Sequence, residues 1–110
     1  MSYRILITRT AENDLNEAVN DIEHVLFNPQ AADDLLNEAE ARIMNLASFP
    51  EKYSLVDDPV LHAWGIRLVT VKNYLVFFTI DESSQTVSVV RFLYGRRNWI
   101  SILKKGAPLR

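Results

Sequence analysis

The residues best suited to chemistry are arginines and tyrosines gathered towards the C-terminal end. Arg67, Lys72, Tyr74, Arg91, Tyr94, Arg96, Arg97 and Trp99 fall between positions 67 and 99. Guanidinium groups clamp phosphates bidentately and stabilise developing negative charge. Tyrosine and tryptophan rings stack on exposed bases. The densest group is Tyr94-Gly95-Arg96-Arg97, where glycine permits a sharp redirection of the backbone. We read that group as a surface patch that grips something negatively charged. Taken singly, each of the others has a plainer role. Arg67 and Arg91 could be ion-pair partners of acidic helices, and Tyr74 and Trp99 could be core.

Other chemistries find little support. The chain has two histidines, His24 and His62, and no cysteine. No His, Asp or Glu spacing resembles a metal site, so neither metal nor cofactor is expected. No serine sits in a nucleophile-elbow motif. Three glycines do not make a phosphate-binding loop.

The net charge of −2 hides an asymmetry. Residues 1–60 hold 12 Asp and Glu against 4 Lys and Arg, whereas residues 61–110 hold 2 against 8. An acidic first half and a basic second half suggest that the second half meets an anionic partner. Equally, the two halves could lie side by side in the fold. At 48% hydrophobic and 24% charged, the composition is that of an ordinary globular chain. One hundred and ten residues make one domain by length, able to bury roughly two-thirds of the unfolded surface. No apolar run approaches the roughly 18 residues of a membrane span, and the N-terminus lacks a signal-peptide pattern. Both lead us to expect a cytoplasmic protein with no membrane partner.

The elements that must position the basic group follow from periodicity. Ile66 to Tyr94 is rich in β-branched and aromatic residues and is broken at Lys72-Asn73 and at Asp81–Gln85, which predicts three consecutive strands. On the last of them, alternation would send Val87, Val89, Arg91 and Leu93 one way and Ser88, Val90, Phe92 and Tyr94 the other. Tyr3 to Thr8 is a further short strand. Thr10 looks like the N-cap of a helix over 11–27, with Leu15, Val19, Ile22 and Leu26 on its apolar stripe and Asn13, Glu17 and Asp21 opposite. Asn28-Pro29 ends that helix and opens a second, which reaches about Ser48. Glu51 to Gly65 reads as irregular, with Trp64 as the anchor that pins it to the core. Trp99, Ile102 and Leu103 suit a short terminal helix, and 106–110 a frayed tail. The order β-α-α-β-β-β-α is α+β: a helical hairpin packed on one face of a small, mainly antiparallel sheet. Chemistry is then expected on the other face or at the sheet's end.

This ordered set resembles the RelE/ParE superfamily of type II toxin–antitoxin toxins over nearly the whole chain. The likeness is carried by Ala11-x-x-Asp14-Leu15, Asn28-Pro29-x-x-Ala32, Leu46-x-x-Phe49-Pro50, Gly65-x-Arg67, Asn73-Tyr74-Leu-Val-Phe-Phe-x-x-Asp81 and Val89-Val-Arg-Phe-Leu-Tyr-Gly-Arg-Arg97. It implies a growth-inhibiting toxin neutralised by a cognate antitoxin, meeting operator DNA only through that antitoxin. Members of the RelE type cleave messenger RNA on the ribosome, and those of the ParE type inhibit DNA gyrase. Ribonuclease members often carry an arginine where this chain has Leu75 and a histidine where it has Tyr94. A phenol ordinarily titrates near 10, a poor match for base work at neutral pH. The Gly-Arg-Arg-Asn-Trp ending is more like ParE. The resemblance thus implies a gyrase-binding toxin whose antitoxin- and target-binding residues are Lys72, Tyr74, Arg91, Tyr94, Arg96, Arg97 and Trp99. Two alternatives stand beside it. One is a ribosome-dependent endoribonuclease using Arg67, Arg91, Tyr94, Arg96 and Arg97. The other is a degenerate toxin acting as a co-repressor with its antitoxin.

Overall fold

The computed structural model describes residues 2–106; of the expected tail at 106–110, Gly106 instead caps the last helix, its N–H donating to Ile102 O at 3.1 Å, and 107–110 lie outside the described residues. Four strands form one sheet in the order β1-β4-β3-β2, where β1 is Arg4–Ile7, β2 Arg67–Val71, β3 Tyr74–Asp81 and β4 Thr86–Tyr94. Strands β2, β3 and β4 make the expected antiparallel meander, and β1 pairs parallel to β4, with Ile5 opposite Val87 and Ile7 opposite Val89. Between β1 and β2 run α1 (Arg9–Asn20) and α2 (Pro29–Asn45), followed by the short α3 (Pro59–Ala63); α4 (Trp99–Lys105) closes the described chain.

Both faces of the sheet are covered, not one. Val69, Val71, Val76, Phe78, Val87, Val89 and Phe92 meet Ala11, Ala18, Leu35, Ala39, Ile43 and Leu46 of the helical hairpin. The opposite face, made by Phe77, Val90 and Leu93, is covered by Val56, Leu61 and Ile66 and by Leu103 of α4. Consecutive Phe77 and Phe78 are therefore both fully buried, on opposite sides. A strand buried twice needs an unbroken apolar run, and Leu75-Val-Phe-Phe78 supplies it.

Several local expectations are corrected. The N-cap of α1 is Thr8, not Thr10: the Thr8 hydroxyl accepts from Ala11 N at 3.2 Å and donates to Val90 O at 3.2 Å. The first helix does not run evenly to Phe27. It passes into a π-helical turn over Asp21–Val25, which rotates the stripe and leaves Leu26 and Phe27 exposed, Phe27 by 84%. The stretch 51–65 is not wholly irregular, since Asp58 caps α3 by accepting from Leu61 N at 3.2 Å. Trp64 does not anchor it; Leu61 and Ile66 do, both fully buried while Trp64 is exposed. The second helix keeps its expected stripe, capped by Asn28 with Pro29 at its first position.

Strand β4 carries a bulge. Phe77 pairs with Arg91 and Phe78 with Val89, so Val90 is an extra residue. Alternation is reset there: Val89 and Phe92 share the helix face, and Val90 and Leu93 the other. Beyond Ile7 the edge of β4 has no strand partner, and α1 lies along it. Asp14 closes this gap. Its Oδ2 accepts from Phe92 N at 3.1 Å and from Arg91 Nε at 2.7 Å, and its Oδ1 accepts from Arg91 Nη2 at 3.0 Å. Both side chains are largely buried.

Removing one partner of such a pair leaves the other charge buried and unmatched. Asp14→Ala should cost about 3 kcal/mol in urea denaturation. Asp14→Asn, which keeps an acceptor for Phe92 N–H, should cost clearly less. Phe77→Ala should cost about 3–5 kcal/mol by opening a cavity between the sheet and α4. Phe27→Ala should stay within about 0.5 kcal/mol, because that ring packs on nothing.

Candidate functional site

The end of the sheet is built by backbone hydrogen bonds. Gly95 N donates to Asn73 O at 2.8 Å and Arg97 N donates to Tyr94 O at 3.0 Å, which folds the chain after β4 against the β2–β3 turn. A Cβ on residue 95 would lie 3.2 Å from Asn73 O, so glycine suits this close approach. Lys72 holds a left-handed φ of 54° at that turn. Lys72, Arg96 and Arg97 are all exposed at this one end of the sheet, and none has an ion pair among the described residues. Cationic surface is therefore accessible at Arg96 and Arg97.

The other candidates are engaged elsewhere. Arg91 is neutralised by Asp14. Arg67 donates to the carbonyls of Glu51 at 3.2 Å and Tyr53 at 2.6 Å, holding the loop before α3. Trp99 packs on Phe77 at a centroid distance of 5.1 Å, on the face away from α1. Leu75, half-buried, joins the same cluster.

Tyr74 and Tyr94, paired across β3 and β4, do come together. Tyr74 stacks on Phe92 at 5.0 Å with an interplanar angle of 11°, and Tyr94 meets it edge-on at 5.4 Å. They line a groove of about 180 Å³ with Asp14, Glu17, Ala18, Asp21, Phe92 and Arg97. Burial pushes the Tyr74 phenol above its ordinary value, and the charges of Tyr94 and Asp21 push the same way. No histidine lines the groove. Its acidic wall was missed in the sequence, where Glu17 and Asp21 read as a solvated helix face. The available signal was the spacing of Asp14, Glu17 and Asp21, which places all three on one side of a helix adjoining the apolar stripe.

A second concavity, of about 440 Å³, is mainly apolar and runs between β1, α1 and α2. It is lined among others by Ile7, Leu15, Leu36, Ile43 and Met44, with Ile7 and Met44 exposed. Among the described residues, no group of three His, Cys, Asp or Glu could hold a metal ion, and no helix is long and apolar enough to cross a membrane.

The fold recurs in solved structures. A chain of a chromosomal ParDE toxin–antitoxin system from P. aeruginosa superposes with a TM-score of 0.67 at 18% identity, covering 84% of this chain and 96% of that one. A chain of the toxin–antitoxin complex RelBE2 from Mycobacterium tuberculosis gives 0.58 at 18% identity, covering 86% and 99%. A mutant of E. coli toxin RelE in the free state gives 0.60 at 11% identity, covering 96% and 99%. At these identities the likeness is one of fold. No curated protein sequence matches the chain. The family model described as ParE toxin of type II toxin-antitoxin system, parDE, matches residues 5–99. The chain belongs to that family, as a toxin of a type II toxin–antitoxin module within the RelE/ParE superfamily.

Proposed function

We propose that this toxin is ParE-like: it arrests growth by binding DNA gyrase, performs no bond-breaking chemistry itself, and is silenced when a cognate antitoxin covers it. The observation that carries the reading is the chemistry of the sheet end. RNA cleavage by 2′-hydroxyl attack needs a base, an acid and cations at the scissile phosphate. Here no imidazole lines the groove, Tyr74 is moved further from neutrality, and Arg67 and Arg91 are held by partners inside the fold. What stays free is the cationic rim of Lys72, Arg96 and Arg97, which suits binding an acidic surface. The family match to ParE favours the same reading.

The antitoxin has a different surface to fill. The apolar groove between β1, α1 and α2 fits an amphipathic segment, whose apolar anchors would cover Ile7, Leu36 and Met44. A ParDE system and a RelBE2 complex among the structures of like fold support an antitoxin partner. The exposed arginines favour one second reading, a ribosome-dependent endoribonuclease, in which Tyr94, Arg96 and Arg97 would clamp the message.

Purified toxin should abolish supercoiling by DNA gyrase at near-stoichiometric amounts. Undiminished supercoiling, with new 5′ ends in register with codons in messages from arrested cells, would transfer the assignment to the endoribonuclease. Charge reversal of the rim (K72E/R96E/R97E) should leave the fold intact and weaken gyrase binding about tenfold or more, with a shallower salt dependence. Met44→Glu should weaken antitoxin binding by a similar factor, measured by calorimetry, and leave gyrase inhibition in place.

A further inference from the structure

The groove at the end of β4 does not match the ligand that the rim beside it would attract. At about 180 Å³ it falls below the roughly 300 Å³ where small-molecule sites begin. It has room for one side chain, not for a nucleotide. Its charge is also wrong for a phosphate. Asp14 is neutralised by Arg91, but Glu17 and Asp21 have no ion-pair partner among the described residues. Arg97 lines the groove without reaching either of them, so one cation stands against two uncompensated carboxylates. The tyrosine rings select the same sign of charge independently, since aromatic faces attract cations through their quadrupole.

We propose that this groove receives the side chain of an arginine carried by a bound protein segment, its guanidinium lying against the Tyr74–Tyr94 wall on one side and facing the carboxylates of Glu17 and Asp21 on the other. Arginine fits better than lysine: its planar group stacks on rings, is weakly hydrated, and presents several donors to two carboxylates at once. The sheet end then has two chemistries within a few residues, a cationic rim and an anionic, aromatic slot. A segment that satisfies both must alternate acidic and basic side chains. The slot's preference rests on its own lining and holds whichever macromolecule the toxin poisons.

The test uses the full chain with its four tyrosines isotopically labelled, observed by NMR. It is titrated separately with the peptide acetyl-Gly-Arg-Gly-amide, its citrulline counterpart and inorganic phosphate. The arginine peptide should shift Tyr74 and Tyr94 saturably and leave Tyr3 and Tyr53 in place. The citrulline peptide, equal in shape but uncharged, should bind at least about tenfold more weakly. Glu17→Gln combined with Asp21→Asn should weaken the arginine peptide by a similar factor. Tyr94→Leu, at an exposed position, should do so without disturbing the fold. The proposal is overturned if phosphate moves the Tyr74 and Tyr94 rings as readily as the arginine peptide does. Equal binding of the arginine and citrulline peptides, or shifts confined to Tyr3 and Tyr53, would overturn it too.

Discussion

The fold depends on one carboxylate. Strand β1 is short and leaves the far half of the β4 edge without a strand partner, and a bulge at Val90 interrupts the register where that unpaired stretch begins. An unpaired edge amide beside a helix would be costly, and a largely buried, unmatched arginine next to it more so. Asp14 answers both by accepting from Phe92 N–H and binding the Arg91 guanidinium in a fork. Together with the Thr8 cap on Val90 O and the packing of Ala11 and Ala18, that contact fixes how α1 lies on the sheet. It thereby sets where Glu17 and Asp21, further along the same helix, face Tyr74 and Tyr94.

The charge asymmetry of the sequence is resolved in two ways at once. Part of it is internal: Asp14 pairs with Arg91, and Asp58 with Lys104 at 3.2 Å, each joining the acidic half to the basic half. The Asp58 carboxyl also accepts from Leu61 N, the leading cause of its lowered pKa. Of the other described cations in the basic half, Arg67 is held by backbone carbonyls, and Lys72, Arg96, Arg97 and Lys105 are left at the surface. Such exposed cations add little to stability, so they are free to serve recognition. Internal pairing sorts the basic cluster into structural members, Arg67 and Arg91, and accessible ones.

Much of this was legible in the residues. The meander, the helical hairpin, the Asn28-Pro29 junction and the terminal helix follow from periodicity and from proline and asparagine chemistry. What escaped has physical causes. A bulge leaves no composition signal, so strict alternation misplaced Arg91 and Phe92. The π-helical turn cannot be told from α-helix by spacing over so few residues, so spacing alone puts Leu26 on the core stripe. The burial of both sheet faces was in principle readable from Leu75-Val-Phe-Phe78, which has no polar residue to turn towards water. The acidic wall of the groove was invisible because Glu17 and Asp21 look like any solvated carboxylates until a second element is set against them.

The pairing of the first strand with the last orders events in time. Ile5 must wait for Val87, and Phe77 for Leu103, so neither the β1 edge nor the second face of the sheet is complete until both have been made. Contacts so distant along the chain slow folding. A nascent copy therefore emerges with its apolar strands uncovered and its rim unformed. Until Val87 and Leu103 have both been made, β1 has no strand beside it and one face of β3 stays open, so the two ends of the chain can complete the fold only together.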